Sequence, residues 1–427
     1  IKISVSLCLC VRHKLVMQDR KIINDPVFGF INIPKGLLYD VVTHPILQRL
    51  TRIKQLGLSS LVYPGAQHTR FQHSLGAFYL MSEAINTLRQ KGNFIFDSEA
   101  EAVQAAILMH DIGHGPFSHV LEHTLVKGIS HEDISLMLME RMNSEMKGQL
   151  SLAIQIFKDE YPKKFLHQLI SSQLDMDRLD YLRRDSFYTG VTEGNIGSAR
   201  IIKMLNVKDD HLVVDSKGIY SIENFLMARR LMYWQVYLHK TSVAAEKMLV
   251  SALLRAKELA SKGVELFASP ALRFFLYNDI QADFFKREPI CLENYIKLDD
   301  NDIWTSLKIW CDHPDTILST LSQGIINRKL FKVEVTENPI NKERKKEILQ
   351  SISNQLYITQ KEAEYFLVIN AIGKDMYSKE DDSIEIMYKD GDTRDIAYAS
   401  DMLNISTLSK KVKKYYICRL RLSQEKR

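Results

Sequence analysis

Apolar residues recur every three or four positions through most of the first 330 residues, the spacing of one buried helical face. Over 74–88 the repeat is carried by Leu75, Phe78, Tyr79, Met81, Ala84, Ile85 and Leu88. Over 99–109 the residues Ala100, Ala102, Val103, Ala105, Ala106, Ile107 and Leu108 form a helix-favouring run without Gly or Pro. Further helices are predicted over 37–56, 132–142, 150–170, 271–285 and 314–327, with Pro45 in a first turn after Thr43. Residues 222–260 predict one long helix, because no Gly or Pro interrupts them. Residues 57–69 read as a loop around Pro64-Gly65.

Elsewhere the pattern shortens. Over 19–34, Ile22, Ile23, Val27, Phe28, Phe30, Ile31 and Ile33 are broken by Asn24-Asp25-Pro26 and Gly29, which predicts strands or a hairpin. A second small hairpin is predicted over 212–220, turning at Ser216-Lys217-Gly218. Beyond residue 330, strands are predicted at 331–335, 365–369, 384–388 and 415–420, with helical 342–355 among them. The charge run 342–346 reads as a solvated helix face. The expected fold is mainly α: a helical body over 17–330 and a smaller α+β lobe over 331–427, without repeats, heptads or low-complexity segments.

Composition narrows the class. The chain has 427 residues, 45% hydrophobic and 26% charged, the balance of a globular protein. A net charge of +5 permits an anionic ligand without requiring nucleic acid. Cys8, Cys10, Cys291, Cys311 and Cys418 form no ligand-spaced cluster and fit reduced thiols, so a cytoplasmic location is expected. No apolar run approaches the roughly 20 residues of a membrane span, and no membrane partner is expected. Residues 3–11 are apolar but short, and Met17 opens a more protein-like stretch. Residues 1–16 are therefore expected to be a non-native or disordered extension.

The chemistry gathers at His110-Asp111-Ile112-Gly113-His114-Gly115-Pro116-Phe117-Ser118-His119. Gly113 and Pro116 stop the preceding helix, so His110 and Asp111 fall at its end. An adjacent His-Asp pair on an apolar helix is costly to bury unpaired. Imidazole nitrogen and carboxylate oxygen together suit a first-row divalent metal. His73, at a helix start, and Asp177, in Leu174-Asp175-Met176-Asp177-Arg178-Leu179-Asp180-Tyr181, are the candidate ligands from other elements. Two imidazoles and two carboxylates leave positions for water and a phosphate oxygen. No nucleophile elbow or P-loop is present, which disfavours covalent-serine and kinase-like mechanisms.

His73…His110-Asp111…Asp177 resembles the metal-binding pattern of the HD-domain phosphohydrolase superfamily. Three longer strings resemble its dNTP triphosphohydrolase branch, which includes the mammalian sterile-alpha-motif/HD enzyme and bacterial relatives. They are Tyr63-Pro64-Gly65-Ala66-Gln67-His68-Thr69-Arg70-Phe71-Gln72-His73-Ser74-Leu75-Gly76, the decapeptide from His110 to His119, and the stretch from Asp175 to Tyr181 followed by Asp185. The similarity runs from about Asn24 to Lys240. It implies a helical HD core and a divalent ion (Mn, Fe, Zn, Ni or Mg) held by His73, His110, Asp111 and Asp177. It implies that His119 protonates the departing 5′-oxygen, oriented by Glu122, and that His114 and His131 bind or polarise phosphate. Arg70, Arg178 and Arg229 are implied for the triphosphate, with Arg178 standing where the mammalian enzyme has lysine. Tyr181, Asp185 and Gln55 match residues that hold the sugar, and Tyr237 one that flanks the base, although Tyr233, Trp234 and Tyr237 equally fit a core stripe.

The implied reaction is metal-dependent hydrolysis of a dNTP to deoxynucleoside and inorganic triphosphate. The alternatives are another HD-superfamily phosphohydrolase, such as a nucleotidase or phosphodiesterase, or a non-hydrolytic binder of nucleotide or single-stranded nucleic acid. An HD-type oxygenase is disfavoured by the shortage of ligands for a second iron. A homo-oligomer, dimer or tetramer, and a nucleotide activator are further implications. Thr43 and Thr51 stand where the mammalian enzyme places an Asp and an Arg for guanine, with Gln48 kept, so activation in that form is not expected.

Overall fold

The computed structural model describes residues 20–117, 120, 124–126, 128–374, 383–400 and 412–422. The expected extension over 1–16 lies outside them. β1 (Arg20–Asp25) and β2 (Gly29–Pro34) form the antiparallel hairpin anticipated from 19–34. Asp25 Oδ1 closes its turn by accepting from the N–H groups of Val27 and Phe28, both at 2.9 Å. Ile31 and Ile33 point into the core.

The single helix expected over 37–56 is instead α1 (Leu37–Thr43), α2 (Pro45–Gln48) and a 3₁₀ turn at Arg49–Arg52. Pro45 has no N–H with which to continue α1. His44, not Thr43, caps α2, its Nδ1 accepting from Ile46 N at 3.3 Å.

Three helices frame the site: α3 (Arg70–Gln90), α4 (Asp97–Met109) and α6 (Met176–Thr189), with α5 (His131–Glu145) between the last two in sequence. α3 packs against both α4 and α6. It starts four residues earlier than its apolar repeat indicates, because Thr69 and Gln72 form a reciprocal capping box. Arg70 and His73 therefore lie in its first turn. The helix expected over 150–170 divides into Ser151–Phe157 and Lys164–Gln168, with Pro162 in the gap.

The second hairpin lies earlier than expected. β3 (Leu205–Lys208) pairs with β4 (His211–Asp215) around Asp209-Asp210, both at positive φ. That is the two-residue turn whose twist matches its strands. Ser216–Gly218 is a 3₁₀ turn leading into α7 (Ile219–Met232).

The continuous helix expected over 222–260 is also corrected. α7 passes into a π-helical turn, Tyr233–Tyr237, breaks at Leu238-His239, and restarts as α8 (Lys240–Ser261). Leu238 N donates to Tyr233 O at 2.8 Å, five residues back. Such turns often accompany functional sites.

α9 (Asp300–Trp310) and α10 (Thr316–Ile326) pack together, and α10 packs on α8. β5 (Lys332–Thr336), β6 (Leu367–Lys374) and β9 (Val412–Arg419) form an antiparallel sheet in the order β5-β9-β6, near α11 (Lys342–Leu356). β7 (Glu385–Met387) runs parallel to β4 and antiparallel to β8 (Thr393–Asp395), so one four-stranded sheet joins distant parts of the chain. The protein is mainly helical with a smaller α/β part, as the periodicities indicate. Among the described residues, no helix is long and apolar enough to cross a membrane.

Candidate metal centre and adjoining cavity

Each element end delivers one donor. The Thr69 cap sets His73 at the end of the first turn of α3, fully buried. α4 stops at Met109, which puts His110 at its C-cap and Asp111 just beyond. Asp175 caps α6 by accepting from Arg178 N at 2.6 Å, which places Asp177 in the first turn. His73 Nε2 lies 3.2 Å from His110 Nε2 and 3.0 Å from Asp177 Oδ1. His110 Nε2 is 3.5 Å from the same oxygen. The donor atoms of His73, His110 and Asp177 all fall within 4.8 Å of one another.

The opposite ring nitrogens settle where these donors point. His73 Nδ1 bonds Asp180 Oδ2 at 2.6 Å, and His110 Nδ1 bonds the carbonyl of Ile107 at 2.6 Å. With Nδ1 committed as donor, each Nε2 turns its lone pair toward the shared point. Asp180 is held in turn by Arg184 Nε at 2.9 Å, and Arg184 Nη1 reaches Asp25 Oδ2 at 2.7 Å. Gly76, one turn beyond His73, makes room for this contact: a Cβ there would sit 1.9 Å from Asp180 Oδ1.

Asp111 stands beside the triad, 3.7 Å from His73 Nε2 and 3.5 Å from His110 Nε2. Its Oδ2 accepts from Arg70 Nη1 at 2.5 Å, and His114 Nε2 lies 3.3 Å from Oδ1. His114 stacks on His131, the first residue of α5, with ring centroids 3.9 Å apart. Gly113 permits this docking, since a Cβ would meet the His131 carbonyl at 2.1 Å. His119 and Glu122 lie outside the described residues.

The field at the centre favours positive charge. Burial opposes an imidazolium at His73, yet the carboxylates of Asp177 and Asp180 outweigh it and push the ring up to about 10. His110 is raised against the same burial, chiefly by Asp111. Burial would raise Asp177, but His110 and His73 pull it down. Asp111 is held well below the usual carboxylate range despite burial, Arg70 being the main cause. His114 is driven down to about 3 by burial and by Arg70. Two nitrogens and a carboxylate oxygen, convergent and fixed from behind, fit a first-row divalent cation.

Next to this centre lies a cavity of about 410 Å³. Its walls bring together Gln55, Arg70, Tyr181, Asp185 and Tyr237, five of the seven residues expected at the substrate. Arg70 joins it to the metal centre through Asp111. Arg178 and Arg229 are not on these walls: Arg178 Nε bonds Asp175 Oδ2 at 3.0 Å, and Arg229 Nη1 bonds Gln173 Oε1 at 2.8 Å. The hydroxyl of Tyr237 donates to Asp185 Oδ2 at 2.7 Å, and the Tyr181 ring meets the Tyr237 ring edge-on. Burial raises both phenols, so they remain donors. The walls also contain Phe117 and Glu246, which periodicity does not single out, and Tyr233, which periodicity placed in a core stripe. His68 Nε2 bonds Asp185 Oδ1 at 2.8 Å. Sequence reasoning included it only within a longer motif.

Thr43, Thr51 and Gln48 use side-chain groups on local backbone. Thr43 donates to Tyr39 O, Thr51 to Gln48 O and Gln48 to Val42 O, at 2.9, 2.6 and 2.7 Å.

The chain matches the HD domain family over residues 70–185 and the HD associated region over 196–268. It is 35% identical over 330 residues to uncharacterized protein YwfO of Bacillus subtilis, covering 75% of this chain and 74% of that one. The chain belongs to the HD-domain phosphohydrolase superfamily. A crystal structure of a phosphohydrolase from Bacteroides thetaiotaomicron superposes on this HD phosphohydrolase with a TM-score of 0.93 at 77% identity, covering 94% of this chain and 100% of that one. The deoxynucleoside triphosphate triphosphohydrolase SAMHD1 homolog of Dictyostelium discoideum is 31% identical over 260 residues, 56% of this chain and 50% of that protein. The chain thus spans half the length of that relative.

Proposed function

We propose that this HD phosphohydrolase hydrolyses deoxynucleoside triphosphates to deoxynucleoside and inorganic triphosphate. The carrying observation is the joint made by Arg70: it bonds Asp111 at the metal centre and lines the cavity that contains Tyr181, Asp185, Gln55 and Tyr237. A nucleotide laid along that line has its innermost phosphate at the centre and its sugar in the cavity. The similarity to a deoxynucleoside triphosphate triphosphohydrolase supports the same reading.

His73, His110 and Asp177, with Asp111, would hold the divalent ion, which lowers the pKa of bound water and polarises phosphorus. Arg70 neutralises phosphate charge, and Arg178 and Arg229 would reach the outer phosphates. The Tyr181 ring excludes a 2′-hydroxyl by contact, Gln55 and Asp185 engage the 3′-hydroxyl, and Tyr237 flanks the base. His114 and His131 bind phosphate. His119, oriented by Glu122, protonates the leaving 5′-oxygen. A cytoplasmic homo-oligomer, a dimer or tetramer responsive to a nucleotide other than through a guanine site at Thr43 and Thr51, belongs to the same proposal.

The test is incubation of the purified chain with each dNTP and NTP, with manganese or magnesium, reading released triphosphate. Release from dNTPs and not from NTPs is expected. Release of monophosphate or pyrophosphate instead would reject the reading. His110→Ala is expected to lose stoichiometric metal and at least about a hundredfold in turnover.

A further inference from the structure

His68 touches none of the proposed metal ligands, yet its surroundings are unusual for a core histidine. It is 1% exposed, as is Asp185, and Nε2 faces Asp185 Oδ1 at 2.8 Å. A carboxylate oxygen only accepts, so the proton of this contact sits on Nε2. Nδ1 is buried with no partner among the described residues. The ring is clamped against Tyr188, centroids 4.5 Å apart and nearly parallel, and Tyr188 accepts from Gln72 at 3.2 Å. A purely structural role is served better by an apolar ring, since a buried bare nitrogen is costly.

The same residue reaches the cavity a second way. Its carbonyl accepts from Gln55 N at 3.0 Å. The Gln55 side chain lines the cavity, and its Oε1 is likewise buried and unpartnered among the described residues. Asp185 is gripped from both sides, Oδ1 by His68 and Oδ2 by the Tyr237 hydroxyl. Each oxygen keeps a second lone pair, and the two fixed donors decide where those lone pairs aim.

We propose that His68 is a positioning residue that aims Asp185, and through its backbone Gln55, at a hydroxyl of the bound sugar, and so sets discrimination for a 3′-hydroxyl. This rests on the deoxynucleotide reading above. Without the His68 donor, Asp185 is free to swing toward Tyr237 and loses its aim, while the metal centre is left intact.

The experiment compares kcat/KM for a dNTP and its 2′,3′-dideoxy analogue in the full chain, His68→Leu and His68→Gln. The unaltered protein should favour the hydroxylated substrate by about ten- to a hundredfold, the worth of a hydrogen bond to a charged group. His68→Leu should bring the ratio close to one by losing activity on the hydroxylated substrate alone. His68→Gln, whose amide nitrogen can replace Nε2, should restore most of it. An unchanged ratio, or equal loss on both substrates, overturns the proposal. Should His68→Leu not fold, nitrogen NMR of the unaltered ring decides, and an Nε2 without its proton overturns the proposal. Absence of turnover in the unaltered chain would reject the reaction alone, because calorimetric binding of the same two nucleotides with manganese carries the same comparison.

Discussion

Among the described residues, Asp180 reaches the candidate metal centre through His73, and it would tune how that centre holds an ion. Its carboxylate fixes the proton on Nδ1, aims Nε2 and makes the ring a better donor. Asp180→Asn keeps the volume and removes the charge. It is expected to weaken metal binding about ten- to a hundredfold, read by metal titration of the folded chain. Retention of full affinity would mean that the Asp180 charge does not tune His73 as a ligand. Of the candidate ligands, the adjacent His110-Asp111 pair stands out in sequence because imidazole and carboxylate are rare at the end of an apolar helix such as α4. Asp180 is not, since its role depends on α6 facing α3 across the gap left by Gly76.

Elements are legible where their reasons are local. The apolar repeats of α3 and α4 and the hairpin β1–β2 follow from periodicity and turn residues. The π turn at Tyr233–Tyr237 does not, because no Gly or Pro marks it and tertiary contacts sustain it: Tyr63 donates to Gln235 O at 2.5 Å. α4 shows how an element end is held from outside. Glu99, in its first turn, accepts from Phe96 N at 2.8 Å, Lys163 Nζ at 2.8 Å and the Tyr161 hydroxyl at 2.6 Å. Burial works against the charge, but Lys163 first and then Tyr161 and the Phe96 N–H pull the carboxyl below its usual value, while Tyr161 is pushed up to about 12. A folded-state pKa below the unfolded one means the stabilisation is complete above the unfolded value near 4.5 and is lost as pH falls through the folded one. Glu99→Gln should therefore cost about 1–3 kcal/mol near neutrality, and urea unfolding curves of variant and parent should converge in acid. Curves separated by the same amount at every pH would exclude this linkage.

Across the whole molecule, one buried guanidinium connects the N-terminal hairpin to the metal centre. Arg184 is fully buried between Asp25 on β1 and Asp180 on α6, and Asp180 carries His73. Arg184→Leu strands two buried carboxylates and is expected to cost about 3–5 kcal/mol in urea unfolding, with loss of metal affinity. A variant as stable as the parent would mean that water replaces the guanidinium. Helix periodicity and the clustering of His and Asp were readable from residues alone, because each reflects an energy settled within a few neighbouring positions, whereas the caps Thr69 and Asp175 emerged only with the structure. The meeting of residue 73 with 110 and 177, the union of β4 with β7, and the burial of His68 against Asp185 were set by how distant elements dock. Those contacts depend on close packing over long loops, where a single Cβ at Gly76 or an unmarked turn after Met232 changes which side chains can touch.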